Sequence, residues 1–296
     1  MKTTLTATYR TLQSRINRSS ARLQQYQQIA ASGIKLNKPS DDPSAVAPVI
    51  SAASQIRSGE RFASTIASAG LQLDNLDSTM DQLENLMVRA RELVLATGNG
   101  SLAEGDIDAY AQQMSSLKQE LYDIANTRIE GKYLFSGYST DTMPFPDAGA
   151  PDNYQGDANH MELQIGPGQK IVTNLTGAEL FQGDGGGTNL LALLGDLEQN
   201  LISNDPQAAL ARLSDLEAGA DQVRGLRGKM GIAASRAEEA GVRMLEFTDS
   251  MEARLASYRE ADIVEAYSNL AQQEQALQAA LSVTAKVSQL SILDYL

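Results

Sequence analysis

The chain has 296 residues, a net charge of −13, a single His, no Cys, no Trp and only 5% aromatic residues. Without Cys there are no disulfides and no thiolate chemistry, and without clustered Lys and Arg nucleic acid is not an expected partner. No apolar run reaches the roughly 18–20 residues that cross a bilayer, so no membrane partner is expected either.

The opening residues contain no continuous apolar core of a cleavable signal, which leaves the cytosol or export by a signal-independent route. From about Thr4 to Ala31, apolar or small residues recur every three or four positions at Leu5, Tyr9, Leu12, Ile16, Ser19, Leu23, Tyr26 and Ala30. This is the narrow seam of a helix that packs on another helix. Ser32-Gly33 reads as its left-handed cap. The stretch IKLNKPSDDPSA that follows is a turn-rich loop, with Ser44 as the expected cap of the next helix and Pro48 tolerated in its first turn.

A long seam then runs through Val46, Val49, Ala53, Ile56, Ala63, Ile66, Gly70, Leu73, Leu76, Met80, Leu83, Met87, Ala90 and Val94 to the turn Gly98-Asn99-Gly100. About 50 helical residues make a rod of roughly 75 Å, longer than the roughly 40 Å width of a compact domain of this mass, so an elongated chain is expected. Ile107, Tyr110, Met114, Leu117, Leu121 and Ile124 mark a returning helix.

At Gly131 the texture changes. Residues 131–188 are rich in Gly, Pro, Asp and Asn, with alternating pieces at His160–Ile165 and Lys170–Val172, and are expected to form a small β-rich module with a flexible exit at Asp184–Gly187. Helical patterning resumes at Leu190–Ile202, and Asn204-Asp205-Pro206 is a stop and restart. A second long helix follows from about Gln207 to Tyr258, with its seam at Leu210, Leu213, Leu216, Ala220, Val223, Leu226, Met230, Ala233, Ala237, Val242, Leu245, Met251 and Leu255. Gly219, Gly225, Gly228 and Gly231 lie inside it and each costs about 1 kcal/mol of helix propensity, which predicts close helix approach there. The last helix, from Ala261 onward, has its seam at Ile263, Tyr267, Leu270, Leu277, Leu281, Thr284, Val287 and Leu290 or Ile292, matching that of the first.

The resulting fold class is mainly α: an elongated antiparallel helical rod or coiled coil with paired terminal helices and a small inserted β-rich domain. Its expected divisions are residues 1–43 with 260–296 as a terminal helical assembly domain, 44–130 with 189–259 as a rod, and 131–188 as the outer module. The candidate assembly interface comprises Leu5, Tyr9, Leu12, Ile16, Leu23, Tyr26, Ile263, Tyr267, Leu270, Leu277, Leu281, Val287, Leu290 and Leu293. A pair of helices this thin buries little apolar area against its ordering entropy, so it should become ordered when neighbours cover its other faces. The Gln-rich flanks, Gln24, Gln25, Gln27 and Gln28 with Gln272, Gln273, Gln275 and Gln278, suit polar contacts between helices.

Chemistry-bearing constellations have simpler readings. Asp41-Asp42 is a cap or turn pair before it is a metal site. Glu104, Asp106 and Asp108 lack the spacing of a calcium loop and suit a helix N-terminus. With His160 alone, histidine-based metal sites and Ser-His catalysis are excluded, and Gly166-Pro167-Gly168-Gln169-Lys170 lacks the ending of a phosphate loop. No cofactor and no enzymatic activity are expected.

Five stretches resemble bacterial flagellin and its relatives: SGIKLNKPSDDPSA (32–45), RARELVLATGNGS (89–101), GKYLFSG (131–137) with Tyr154-Gln155-Gly156 and TGAELF (176–181), RGKMGIAASRAE (227–238), and the closing ALQAALSVTAKVSQLSILDYL. The middle stretches and the ending are more similar to the hook-associated junction members of that family than to filament subunits. The resemblance implies terminal helices in an inner tube layer, a helical layer outside it and a β module facing outward. It further implies export through the flagellar channel, self-association in a ring between hook and filament, contact with adjacent hook-associated, hook and filament proteins, and an export chaperone on the C-terminal helix. Flagellin itself, and a soluble coiled-coil binding module, remain open as alternatives.

Overall fold

The structure is a computed structural model that describes residues 2–98, 104–147 and 149–293, with side chains described for all of these except 2–6, 8, 104 and 287–293. Asn99 and Gly100 of the expected turn and Asp294–Leu296 of the closing stretch lie outside the described residues. The chain is mainly helical, with helices α1 (Lys2–Ser32), α2 (Pro43–Thr97), α3 (Glu104–Ala125), α4 (Leu190–Ile202), α5 (Pro206–Ala211), α6 (Leu213–Arg259) and α7 (Ile263–Leu293). Two short antiparallel hairpins, β1 (Arg128–Ile129) with β2 (Lys132–Tyr133) and β3 (Glu162–Gly166) with β4 (Gln169–Val172), lie between α3 and α4 in sequence. The fold divides into two compact units, residues 1–58 with 247–296 and residues 59–246.

The second unit holds the hydrophobic core. The stripe of α2 from Ile66 through Leu73, Leu76, Met80, Leu83, Met87, Ala90 and Val94 is buried, and it joins one cluster with Met114 and Leu121 of α3, the leucines of α4 and the inner face of α6. Phe135, Phe145, Ile165, Ile171 and Phe181 belong to the same cluster, so the segment between α3 and α4 is packed into the helical core. The antiparallel pairing of α2 and α6 within this unit is marked by ion pairs. Arg91 reaches Glu217 at 3.0 Å, and Arg227 reaches Asp77 at 2.8 and 3.1 Å, Asp81 at 2.9 Å and Glu84 at 3.0 Å. The Arg227 guanidinium holds the Asp77 carboxyl below its usual range, and the Asp77 carboxylate foremost, with Glu84 and Asp81, raises Arg227 in turn.

Arg227→Ala is expected to destabilise the protein by about 1–2 kcal/mol at neutral pH: single surface pairs contribute 0–1 kcal/mol, but this change leaves three carboxylates facing one another. The lowered Asp77 pKa contributes stability above the unfolded value of about 3.9 that is lost as pH falls through the folded value, so the difference between parent and variant should close in acid. Thermal melts of both proteins across pH 2–7 measure it.

Of the four glycines expected to mark close approach of α6, Gly219 alone does so. A Cβ at Gly219 would lie 2.6 Å from Leu190 and 3.1 Å from Met87, whereas Gly225, Gly228 and Gly231 face open space. The α6 seam also departs from expectation. Val242 and Leu245 are exposed, while Ala240 is buried and Gly241 and Met244 lie on the inner side, with Ile66 of α2 at ordinary contact distance from Gly241. The helix expected from Gln207 is interrupted at Arg212, whose guanidinium bridges Asp196 and Asp215.

Two of the stretches singled out in the sequence, 131–137 and 176–181, meet with Tyr154-Gln155-Gly156 in one knot. The Phe135 carbonyl accepts from the Gly177 N–H at 2.7 Å and from the Tyr154 hydroxyl at 2.7 Å. Phe181 meets Phe135 edge-on at 5.1 Å and Phe145 at 5.8 Å, and burial pushes the Tyr154 hydroxyl up to about 12. Glycine is required where chains cross: a Cβ at Gly156 would lie 2.3 Å from the Tyr154 hydroxyl, and one at Gly177 2.6 Å from its ring. TGAELF itself forms a π-helical turn, Ala178–Gln182. The expected flexible exit is a pinned turn. Gln222 of α6 donates to the Leu180 carbonyl at 2.9 Å and the Thr188 carbonyl at 3.2 Å, and accepts from the Thr188 N–H at 2.7 Å.

Asp157 latches the loop beside this knot, accepting from the Tyr138 N–H at 3.0 Å, the Asn159 N–H at 2.9 Å and the Ser139 hydroxyl at 3.2 Å. Those bonds, the Tyr138 N–H foremost, hold its carboxyl below the usual range. The latch is therefore complete above the unfolded aspartate value of about 3.9 and is lost as pH falls through the lower folded value. Asp157→Asn is expected to weaken hydrogen-exchange protection of Tyr138 and Asn159 at neutral pH and to leave the most acidic end of the titration unchanged.

Candidate assembly interface

The first unit is built by the chain termini. Helix α1 ends where Gly33, at φ +70°, turns the chain, and Asp41 closes the following loop by accepting from the N–H groups of Asn37 at 3.0 Å and Lys38 at 2.8 Å. The cap of α2 is Asp42 and not Ser44: its carboxylate accepts from the N–H groups of Ser44 at 3.0 Å and Ala45 at 3.3 Å and from the Ser44 hydroxyl at 2.6 Å, which lowers its pKa. Preceding Pro43, an acceptor at this position faces the unpartnered first N–H groups, and a carboxylate there also meets the positive end of the helix dipole.

The two termini meet through backbone. Lys35 N–H donates to the Arg259 carbonyl at 2.9 Å and Ala261 N–H to the Gly33 carbonyl at 2.8 Å, forming an isolated antiparallel bridge between Ile34 and Glu260. Lys35 Nζ adds a bond to the Ser257 carbonyl at 3.0 Å. Asp262 then caps α7 by accepting from the Val264 N–H at 2.8 Å and the Glu265 N–H at 3.2 Å. From this joint α1 and α7 run back along each other in antiparallel pairing, with Gln273 of α7 bonded to Ser19 of α1 at 2.8 Å.

The α1 seam has the predicted positions: Leu12, Ile16, Ser19, Leu23, Tyr26 and Ala30 are half-buried along α7, and Tyr9 is exposed. On α7 the inward face is Ala266, Leu270, Gln273, Leu277, Ala280 and Thr284. Ile263, Tyr267 and Leu281 instead flank that face and are 59%, 56% and 50% exposed. Ile263 and Leu281 are about five full turns apart, so they share one stripe, with Tyr267 one turn along from Ile263. The side chains of Leu5, Val287, Leu290 and Leu293 lie outside the described part of the structure. The Gln-rich flanks are exposed apart from Gln273, which sits within the seam.

Full burial is scarce in this unit. Among the described residues, its buried apolar side chains are Ala45, Ala52, Ile56 and Ala266. The terminal pair is thus a thin two-helix ribbon whose outer face carries large apolar side chains. Among the described residues no group of three or more His, Asp or Glu side chains is placed to hold a metal ion, and no helix is long and apolar enough to cross a membrane.

The family model for the bacterial flagellin N-terminal helical region matches residues 4–140, and that for the C-terminal helical region matches residues 213–296. The flagellar hook-associated protein 3 of Escherichia coli (strain K12) is 30% identical over 60% of this chain, and the match spans 60% of that relative's length. Flagellin of Bacillus subtilis (strain 168) is 24% identical over 93% of this chain and 92% of its own. Among solved structures, the flagellar junction protein FlgL from Legionella pneumophila shares the fold with a TM-score of 0.60 at 16% identity, over 72% of this chain and all of that one. Two family models that between them take in both terminal helices, both long helices and the start of the sheet-bearing segment place this chain in the bacterial flagellin family.

Proposed function

We propose that this chain is a structural, non-catalytic component of the bacterial flagellum: a junction protein of the hook-associated kind that links hook to filament by polymerising through its terminal helices. The observation that carries the reading is the thin α1–α7 ribbon with Ile263, Tyr267 and Leu281 on its outer face, a surface that gains burial only when neighbouring copies cover it. The name of the Escherichia coli relative supports the hook-associated kind over the filament subunit. On this reading residues 1–43 with 260–296 form the assembly domain, 44–130 with 189–259 the rod and 131–188 the outer module. The protein is exported, works outside the cell in the axial structure, forms a ring of its own copies and contacts the adjacent hook-associated, hook and filament proteins. An export chaperone covers the C-terminal helix before assembly.

Flagellin is the second reading, favoured by the near full-length match to the Bacillus subtilis protein. Electron microscopy of the purified chain, alone and with hook or filament protein added, separates the two. A junction protein adds at the ends of the other lattices without growing long filaments of its own, and a filament subunit grows them. Removal of residues 1–32 and 262–296 should abolish either kind of assembly, whereas a soluble binding rod would keep its partner.

A further inference from the structure

We propose that Ser19 and Gln273 form the register key of the terminal helix pair: a hydrogen-bonded polar layer that selects one alignment of α1 on α7 among alignments the apolar residues alone tolerate. Gln273 Nε2 donates to the Ser19 hydroxyl at 2.8 Å and to the Ser19 carbonyl at 3.4 Å, with both residues half-buried in the middle of the seam. Counted from that bond, the antiparallel register sets Leu12 opposite Ala280, Ile16 opposite Leu277, Leu23 opposite Leu270 and Tyr26 opposite Ala266.

Heptad seams slip by whole repeats, because a seven-residue shift returns each helix to the same face. Slid one heptad one way, Leu23 exchanges Leu270 for Leu277; slid the other way, Ile16 exchanges Leu277 for Leu270. The layers at Leu23 and Ile16 barely distinguish these states. The polar layer does: the first slip puts Gln273 against Tyr26 and Ser19 against Ala280, and the second puts Gln273 against Leu12 and Ser19 against Ala266. In either state the partly buried amide loses its paired bonds to the Ser19 hydroxyl and carbonyl, and in the second it faces only Leu12, which is the costly event for a hydrogen-bonding group in a seam. One polar residue in an apolar seam fixes register at some expense of stability by the same logic.

Two other restraints act at the near end of the pair, the Ile34–Glu260 backbone bridge and the Asp262 cap. They fix which ends meet. A helix can nonetheless absorb a heptad of slip by unwinding its first two turns, so the key is needed farther along. The proposal concerns a single copy and does not rest on the assembly reading.

The natural chain has no Cys, so introduced pairs report register directly. The full chain is prepared dilute with Leu23→Cys and Leu270→Cys as the aligned reporter, or Leu23→Cys and Leu277→Cys as the slipped reporter, each with and without Gln273→Leu. Disulfide yield at equilibrium is read on non-reducing gels and helix content by circular dichroism. With Gln273 present the aligned pair should form and the slipped pair should stay near background. Gln273→Leu should raise the slipped product by about tenfold with helix content and melting temperature unchanged or higher, as losing a polar group's cost of about 1.4 kcal/mol corresponds to tenfold. Ser19→Ala should raise it in the same direction. An unchanged slipped yield in both variants would overturn the proposal and assign the register to the bridge and the Asp262 cap. A rise accompanied by loss of helix would also overturn it, since the bond would then be stabilising the pair without selecting among registers.

Discussion

Tyr267→Asp is expected to leave the chain folded and to abolish its assembly, whereas Leu277→Asp is expected to abolish assembly by taking the terminal pair apart. The difference follows from where the two side chains sit. Tyr267 is 56% exposed on the outer stripe of α7, so a carboxylate there stays in water and should shift stability by no more than about 0.5 kcal/mol. Placed where a neighbouring copy must dock, the same carboxylate is stripped of water without a partner, a cost of several kcal/mol that recurs at every subunit contact. Leu277 is half-buried opposite Ile16, so aspartate there faces an apolar layer within the monomer, and about 2–3 kcal/mol of lost packing and charge desolvation is large for a two-helix ribbon with little buried area. Leu12→Asp should behave as Leu277→Asp does. Circular dichroism and hydrogen exchange on the dilute proteins score the pair, and sedimentation with electron microscopy scores assembly. Normal polymerisation of Tyr267→Asp would remove the outer stripe of α7 from the interface. Loss of assembly confined to Leu277→Asp and Leu12→Asp would mean that pairing is required but that contact lies elsewhere.

The contrast between α1 and α7 shows what was legible in the sequence. On α1 the seam is read correctly because its large residues, Leu12, Ile16, Leu23 and Tyr26, all point one way and leave Gln, Arg and Thr on the other faces. On α7 large apolar residues occupy two neighbouring stripes, and half of the inward positions are Ala266, Gln273 and Ala280, which a hydrophobic period does not mark. The same masking occurs on α6, where Ala240 and Gly241 take the inner positions and the bulkier Val242 and Leu245 face out. Helix starts and stops were legible where a capping residue stood beside proline, as at Asp205-Pro206, although at Asp42-Pro43 the acceptor two residues before the expected Ser44 is the cap. The first hairpin was not read from the sequence, where Gly131 marks only a change of texture; Gly131 and Glu130, at φ +83° and +50°, are the two left-handed residues of its tight two-residue turn. The π-helical turn at Ala178–Gln182 and the Gln222 bracket were not legible. Both are set by contacts with chain distant in sequence, and neither the composition of TGAELF nor one glutamine on an amphipathic helix distinguishes them.

Phe181→Ala is expected to cost about 3–5 kcal/mol, the range for removing a fully buried phenylalanine ring where the surroundings cannot collapse. Collapse is hindered here because the ring's neighbours are themselves held. Phe135 is fixed through its carbonyl by Gly177 and Tyr154, and Phe145 is fixed by paired bonds to Asn126, whose side chain donates to the Phe145 carbonyl and accepts from its N–H, each at 2.9 Å. Gly177→Ala attacks the same knot from the other side. Its Cβ would stand 2.6 Å from the Tyr154 ring and 2.9 Å from that of Phe145, and forcing rings apart in a filled core costs about 1–3 kcal/mol. Because the knot belongs to the same cluster as α2, α3, α4 and α6, the loss should appear as a lowered melting temperature of that whole unit and not as local fraying of residues 126–188. Hydrogen exchange distinguishes these outcomes: protection should fall together at Leu83, Leu121, Leu194 and Leu175. A drop confined to residues near Leu175, with α2 and α4 unchanged, would show that the sheet-bearing segment opens independently of the helices that surround it.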